Sequence, residues 1–269
     1  MIGFNHLGRL GRFGNQMFQY AALRGIAANN NVNYCFPYWK DSMNDGLGNM
    51  LKTELFECFK MDSVTDLNIQ GIDPDRPFQP EETFNFNEKL FNECPDWVSL
   101  YGFFQSEKYF LNVRDELLED FTFRDGLKET AKTFLDQCDS PVALHIRRTD
   151  YAKYAHHPIL PLSYYEEALS KFPPNRTVII FSDDPKWCYE QDLFADDRFL
   201  VSDNDHLLDL CMMTLCSDFI IANSSFSWWG AWLSESPNKK VIAPKKWFGP
   251  PLDQKNDTKD LYCSGWITL

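Results

Sequence analysis

Two adjacent arginines, Arg147 and Arg148, follow directly on an apolar segment at residues 142–146, and Asp150 comes soon after them. Guanidinium groups are permanently charged, and their planar forks match the oxygens of phosphates and carboxylates in pairs. The spacing therefore indicates a site for a diphosphate or for a ligand rich in carboxylates. The alternative is that the arginines only form surface ion pairs with Asp150.

Polar side chains also follow two later apolar segments. Asp183 and Asp184 come after one of them, and Ser224 and Ser225 come after the other. Paired carboxylates are hard oxygen ligands that could hold Mg²⁺, although the two arginines could neutralise a phosphate without a metal. Asp183 and Asp184, like Ser224 and Ser225, could instead cap the helices that follow them.

The elements that must position these residues are visible from residue 141 onward, where apolar segments alternate with segments of helical periodicity. This alternation predicts a parallel sheet with right-handed crossovers, in which the polar residues after neighbouring strands lie at one edge. Strands are predicted over residues 142–146, 177–181, 199–201, 219–222 and 241–244, and helices over 162–172, 205–217 and 223–233.

The N-terminal part of the chain begins with a glycine-rich segment at residues 8–14 that leads into a helical pattern, for which Asn15 is the predicted N-cap. Backbone N–H groups at such a helix start can face an anion, although a plain turn is an equal alternative. Further on, we expect a loop-rich stretch over residues 62–97, a strand over 98–104, and helices over 111–118 and 126–138.

Composition excludes several classes of function. The 269 residues carry a formal net charge of -13, which argues against a nucleic-acid partner because phosphates would be repelled. No apolar window approaches the length of a membrane span, and the first residues lack the layout of a signal peptide. The eight cysteines are scattered and form no CxxC pair, so we expect reduced thiols in a cytosolic enzyme.

Three tryptophans lie on one predicted helix, Trp228, Trp229 and Trp232. We expect them to pack in the core rather than to form a surface on which a sugar stacks.

Five segments resemble, in the same order, the motifs of the α-1,2-fucosyltransferases, glycosyltransferase family 11. They are residues 11–21, 102–110, 145–151, 181–187 and 223–233. The resemblance implies an α/β protein of GT-B type, with two Rossmann-like domains facing a cleft. It implies an acceptor-side domain over residues 1–138 and a GDP-fucose-binding domain over residues 139–269.

The resemblance also implies roles for individual residues. Arg147 would grip the β-phosphate of GDP-fucose, and Gly14 and Asn15 would approach the pyrophosphate and the fucose. Arg148 is a further candidate for substrate binding, although it could instead be a structural partner of the acidic residues. The side chains expected toward the nucleotide are His145, Asp209 and Ser225, with Asp183, Asp184 and Ser224 as further substrate-binding candidates.

The implied reaction moves L-fucose from GDP-β-L-fucose to the 2-hydroxyl of a terminal galactoside, with inversion and without a metal or cofactor. Asp150 is the first candidate for the base that removes the acceptor proton, with His156 or His157 behind it. The alternatives are a GDP-sugar hydrolase and a non-catalytic nucleotide-sugar-binding or lectin-like protein. We expect a bacterial cytoplasmic enzyme, with peripheral association with the inner membrane as one option.

Overall fold

The computed structural model describes residues 1–46, 48–153 and 155–269. The chain divides into two compact units. The first unit comprises Met1–Arg124 and Asp257–Leu261, and the second comprises Asp125–Asn256 and Tyr262–Leu269.

The first unit contains a four-stranded parallel sheet in the order β2-β1-β6-β5, together with the antiparallel pair β3 and β4. Its strands are β1 (Ile2–Gly3), β2 (Tyr34–Cys35), β3 (Met43–Asn44), β4 (Met50–Leu51), β5 (Phe78–Pro80) and β6 (Ser99–Tyr101). Its helices are α1 (Phe13–Asn29), α2 (Leu55–Cys58), α3 (Glu88–Asn92) and α4 (Arg114–Asp120).

Helix α1 is the central helix of the first unit, and most of its side chains are buried. Gly25 lets it pack closely on the 3₁₀ turn Glu107–Tyr109, since a Cβ atom there would lie 2.0 Å from the carbonyl oxygen of Tyr109. The predicted N-cap, Asn15, was wrong. The helix begins at Phe13, Arg12 occupies the cap position without a side-chain cap bond, and Asn15 lies in the first turn.

The second unit contains a six-stranded parallel sheet in the order β12-β11-β10-β7-β8-β9. Its strands are β7 (Val142–Ile146), β8 (Val178–Ser182), β9 (Phe199–Val201), β10 (Asp218–Ile220), β11 (Val241–Ala243) and β12 (Ile267–Thr268). Its helices are α5 (Asp125–Leu135), α6 (Leu162–Leu169), α7 (Pro185–Tyr189), α8 (His206–Leu215) and α9 (Ser225–Leu233). The parallel strands alternate with helices along the chain, as the sequence predicts.

The core of the second unit lies on β7 and its neighbours. All five residues of β7 are buried, as expected for a strand covered on both faces. The units divide between Arg124 and Asp125, upstream of the predicted boundary at residues 138 and 139, because helix α5 packs against α8. Among the described residues, none of the helices combines the length and the apolar character that a bilayer span requires.

Candidate active site

The polar residues that follow β7, β8 and β10 lie at one edge of the second sheet, because these three strands are neighbours and run parallel. The register pairs Ile146 with Ser182, so the segments that begin at Arg147 and Asp183 leave the sheet side by side. Tyr151 connects this edge to the third strand, since its hydroxyl donates a hydrogen bond to the carbonyl oxygen of Asn223 at 2.9 Å.

Arg147 lies at the centre of this edge and is held by two carboxylates. Its Nη1 atom is 3.0 Å from Oδ2 of Asp183, and its Nη2 atom is 2.5 Å from Oδ1 of Asp150. The guanidinium also lies over the ring of Tyr151, 5.5 Å from the ring centroid. Only 14% of the Arg147 side chain is exposed. This is a positioned, mostly buried cation rather than a surface ion pair.

Asp183 organises the loop that follows β7. Its Oδ1 atom accepts a hydrogen bond from the backbone N–H of Arg148 at 2.9 Å, and its Oδ2 atom accepts one from the backbone N–H of Thr149 at 3.1 Å. The hydroxyl of Thr149 also donates to Oδ2. Together with the Arg147 contact, these bonds engage both carboxylate oxygens of Asp183 with protein groups.

Arg148 and Asp184 form a second pair beside the first. The Nε atom of Arg148 is 3.3 Å from Oδ2 of Asp184, and its guanidinium stacks on the ring of Trp187 at 3.8 Å from the centroid. Asp184 is also the N-cap of α7, where it accepts from the backbone N–H of Trp187 at 3.3 Å with Pro185 at the helix start. Among the described residues, no three His, Cys, Asp or Glu side chains are grouped so as to hold a metal ion.

His145 is a buried member of the edge, with 4% of its surface exposed. Its Nδ1 atom is 2.9 Å from the hydroxyl oxygen of Ser227 on α9. Burial lowers the pKa of His145 to about 4, and the charge of Asp183 opposes this only in part. The imidazole is therefore neutral at physiological pH and acts as a fixed hydrogen-bonding group.

Helix α9 begins at the same edge of the sheet. Ser224 is its N-cap and accepts from the backbone N–H of Phe226 at 3.4 Å, and Ser225 is its first residue. Asn223 donates from Nδ2 to the carbonyl oxygens of Pro158 and Trp247, at 3.0 and 3.1 Å. The start of an α-helix carries partial positive charge, so this end of α9 suits an anion.

The loop after Arg148 carries the two candidate histidines. His157 stacks on Tyr151 with ring centroids 4.9 Å apart, and its buried Nδ1 atom has no hydrogen-bond partner among the residues that the structure describes. Burial is the main cause that lowers the pKa of His157, so the ring is neutral at pH 7. His156 is tied to the loop at Gly249, whose N–H donates to the His156 carbonyl oxygen at 2.8 Å.

Asp209 contacts Ser202, which follows the edge strand β9 at the same carboxyl end of the sheet. It lies on α8 and is 7% exposed, and its Oδ1 atom accepts from the hydroxyl of Ser202 at 2.6 Å. Burial raises the pKa of Asp209 to about 7. A carboxyl that is partly protonated near neutral pH can donate as well as accept, which suits the edge of a heterocyclic base.

Gly14 and Asn15 belong to the first unit, in the first turn of α1. Oδ1 of Asn15 accepts a hydrogen bond from Nε2 of Gln105 at 2.8 Å. Gly11, with φ +79°, lies against the other atom of the same amide, because a Cβ atom at Gly11 would be 2.3 Å from Nδ2 of Asn15. The glycine turn is thus built around the Asn15 side chain.

Sequence reasoning did not assign roles to Thr149, Tyr151 or Gln105. Thr149 and Tyr151 lie in the same charged segment as Arg147, so their hydroxyl groups could have been recognised from the sequence as candidate hydrogen-bonding groups. Gln105 lies in the segment 102–110 but carried no charge or nucleophile to distinguish it.

Comparison with solved structures identifies the class of fold. POFUT1 in complex with GDP superposes with a TM-score of 0.56 at 13% identity, covering 90% of this chain and 97% of that one. The fucosyltransferase NodZ from Bradyrhizobium superposes with a TM-score of 0.55 at 11% identity, covering 86% and 92%. The chain has the GT-B type of α/β fold, as the sequence predicted.

The family follows from the sequence of the whole chain. Residues 2–269 match glycosyl transferase family 11, and the protein belongs to that family. The O-antigen biosynthesis glycosyltransferase WbnK of Escherichia coli is 27% identical over 96% of this chain and 98% of its own length. An α-1,2-colitosyltransferase of Escherichia coli is 29% identical over 88% and 90%. Galactoside α-(1,2)-fucosyltransferase 1 of Bos taurus is 26% identical over 83% and 64%.

Proposed function

We propose that the protein transfers L-fucose from GDP-β-L-fucose to the 2-hydroxyl of a terminal galactoside, forming an α-1,2 linkage with inversion and without a metal. Family membership and relatives named for α-1,2 transfer support the reaction class. The observation that carries the proposal is Arg147, a mostly buried cation fixed between two carboxylates at the end of a central strand.

The second unit would bind the donor. In this proposal Arg147 contacts the β-phosphate, with the start of α9 at Ser224 and Ser225 facing the same diphosphate. The neutral imidazole of His145 offers a hydrogen bond without adding charge, and Asp209 contacts the nucleotide from its position beside Ser202. Asp183, Asp184 and Arg148 hold this arrangement in place rather than bind the ligand.

The first unit would carry the acceptor side, with Gly14 and Asn15 approaching the diphosphate and the fucose. Under this assignment the glycine turn and Gln105 hold the Asn15 amide in place. Gly14 and Asn15 both lie in the first turn of α1, where the partial positive charge of a helix start favours an anion.

Inversion requires one displacement at the anomeric carbon of fucose. The bond from this carbon to the β-phosphate oxygen breaks as the acceptor 2-oxygen bonds to the carbon, the GDP leaving group takes the electron pair, and the acceptor proton passes to a base. Arg147 stabilises the charge that develops on GDP, which is where such a contact has most effect on rate. We assign Asp150, whose Oδ1 atom is 2.5 Å from Nη2 of Arg147, as the base.

We also propose a bacterial cytoplasmic location. The eight cysteines are scattered along the chain with no CxxC pair, and five of them are buried, as suits a reducing compartment. Fractionation of cells that express the protein tests this location and distinguishes a cytosolic pool from one bound at the inner membrane.

The deciding experiment measures transfer from GDP-fucose to a panel of galactosides that includes lactose, with and without EDTA. Arg147→Ala is the control variant. An α-1,2-linked product that survives EDTA and is lost in the variant supports the proposal. Free fucose without transfer product indicates a hydrolase, and GDP binding without turnover indicates a binding protein. A product that needs added divalent cation contradicts the metal-free mechanism.

A further inference from the structure

Tyr151 connects the two groups that the proposed function directs at one diphosphate, the Arg147 guanidinium and the start of helix α9. Both groups belong to the second unit, as Tyr151 does. The guanidinium carbon of Arg147 lies over the Tyr151 ring, 5.5 Å from the ring centroid. The Tyr151 hydroxyl donates to the carbonyl oxygen of Asn223 at 2.9 Å, and Asn223 directly precedes the helix cap Ser224. One side chain therefore extends from the cation to the residue before the helix.

The ring supports Arg147 in a different way from the two carboxylates. Asp150 and Asp183 bind nitrogen atoms at the margin of the guanidinium, and each carries a negative charge that opposes the approach of a phosphate. Tyr151 contacts a face of the guanidinium, where the π-electrons of the ring attract a cation. The ring carries no net charge and leaves the nitrogen atoms at the margin to other partners. Tyr151 can therefore keep its contact with Arg147 while a diphosphate is bound.

The Tyr151 side chain is itself held in place. Its backbone begins the 3₁₀ turn Tyr151–Lys153, and its ring stacks on His157 with the centroids 4.9 Å apart and the ring planes 19° apart. Burial raises the pKa of the Tyr151 hydroxyl above its usual value. The hydroxyl therefore keeps its proton at neutral pH and remains a hydrogen-bond donor to Asn223.

The acceptor of this hydrogen bond is fixed as well. Asn223 is 1% exposed, and its Nδ2 atom donates to the carbonyl oxygens of Pro158 and Trp247 at 3.0 and 3.1 Å. These bonds hold Asn223 between two loops at the edge of the sheet. Because the Asn223 carbonyl cannot shift freely, the bond from Tyr151 sets a distance rather than following a mobile partner.

We propose that Tyr151 is a positioning residue that sets the spacing between the Arg147 guanidinium and the start of α9, so that both groups contact one diphosphate. The inference rests on the proposed function, in which these two groups face the diphosphate of GDP-fucose. Tyr151 acts through Arg147 and Asn223 and needs no contact with the substrate. A ligand with one phosphate can engage either group alone, so its affinity does not depend on the spacing, whereas a diphosphate must meet both groups.

The test compares the Kd for GDP with the Kd for GMP, by calorimetric titration, in two variants. Tyr151→Phe keeps the ring and removes the bond to Asn223, and Tyr151→Leu removes both contacts. We expect the Kd for GDP to rise about 3- to 10-fold in Tyr151→Phe and about 10- to 100-fold in Tyr151→Leu, while the Kd for GMP changes by less than about twofold. General damage to the unit would weaken both ligands alike, so equal factors for GDP and GMP would overturn the inference.

Tyr164 provides the matched control. It lies on α6 and is 8% exposed, its hydroxyl donates to the carbonyl oxygen of Ile221 at 2.7 Å, and its ring packs on Tyr165. The control thus loses the same kind of bond, from a tyrosine hydroxyl to a backbone carbonyl in the same unit. We expect Tyr164→Phe and Tyr164→Leu to lower the Tm and to leave the ratio of the two Kd values within about twofold of the wild type. A ratio that changes as much at Tyr164 as at Tyr151 would contradict the proposal.

A double-mutant cycle shows whether Tyr151 acts through Arg147. In an Arg147→Ala background the spacing no longer matters, so Tyr151→Leu is expected to change the Kd for GDP by less than about twofold. Factors that multiply would overturn the inference. The wild-type protein is measured first. If it neither binds GDP nor transfers fucose, the proposed function fails and this inference with it, whereas an active wild type with equal factors for GDP and GMP in Tyr151→Leu overturns the inference alone.

Discussion

The Nη1 atom of Arg147 lies 3.0 Å from Oδ2 of Asp183, a contact that joins the first residues after two neighbouring strands. The register of β7 and β8 makes this contact possible, because Ile146 and Ser182 are paired directly before it. Asp183 also holds the backbone of Arg148 and Thr149. One carboxylate therefore fixes both the cation and the loop that carries it.

We expect Asp183→Asn to lower kcat/KM by about 10²-fold and to weaken GDP binding. An amide has one acceptor oxygen in place of two, and its NH₂ group must face either the backbone N–H of Arg148 or the Arg147 guanidinium together with the backbone N–H of Thr149. Each donor left unsatisfied costs about 1–3 kcal/mol. Steady-state kinetics with GDP-fucose and calorimetric titration with GDP measure the effect.

Asp184→Asn is the matched control, since it is the same change one residue later. Asparagine is an equally good N-cap for α7, and only the ion pair with Arg148 is lost. We expect a change in kcat/KM of less than about threefold, as the partly exposed pair is worth about 1 kcal/mol or less. Equal losses in the two variants would show that Asp183 has no special role.

Arg147→Lys tests whether the fork of the guanidinium is needed or only its charge. Lysine keeps the charge but cannot reach Asp150, Asp183 and a phosphate with the same geometry. We expect kcat to fall about 10²- to 10³-fold, the usual effect of losing a contact to developing charge. A Lys variant with near wild-type kcat, in an assay where Arg147→Ala is inactive, would mean that charge alone suffices.

The position of the candidate site at one edge of the second sheet was predictable because it depends on the order of strands and on residue type. Strand β7 is buried along its whole length, as its apolar sequence indicates. Arg147 directly follows the strand and therefore lies at the edge of the sheet. What Asp183 does was less predictable. Its hydrogen bonds go to backbone N–H groups, and only the path of the loop decides whether these groups point toward it.

The first unit shows where sequence patterns give less information. Strands β1 and β2 are two residues long, too short for any alternation of polar and apolar residues to be read. The start of α1 was misplaced because the helix begins without a side-chain cap, at Phe13 rather than after Asn15. The contact between Gln105 and Asn15 depends on a left-handed Phe104, which the sequence gives no reason to expect.

Trp228→Ala should lower the free energy of unfolding by about 3–5 kcal/mol, the usual cost of truncating a buried tryptophan. Trp228 is fully buried and packs against Trp229, Trp232 and Trp266, so the tryptophans of α9 belong to the core, as the sequence suggested. Urea denaturation measures the change. Tyr189→Ala is the control at an aromatic residue with 68% exposure, where about 0.5 kcal/mol or less is expected. Comparable losses at the two positions would contradict this assignment.

The burial of His145 makes stability depend on pH. The pKa of folded His145 is lowered to about 4, whereas a histidine in the unfolded chain titrates near about 6.5. Between these values the unfolded state binds more protons, so this contribution is fully present above about pH 6.5 and falls as the pH drops toward 4, by up to about 3 kcal/mol. His145→Asn removes the titration and keeps a hydrogen-bonding atom near Ser227. The unfolding free energy of the wild type, minus that of the variant, is expected to decrease from pH 7.5 to pH 4.5 in urea titrations. A difference that stays constant over this range would show that His145 titrates normally in the folded protein.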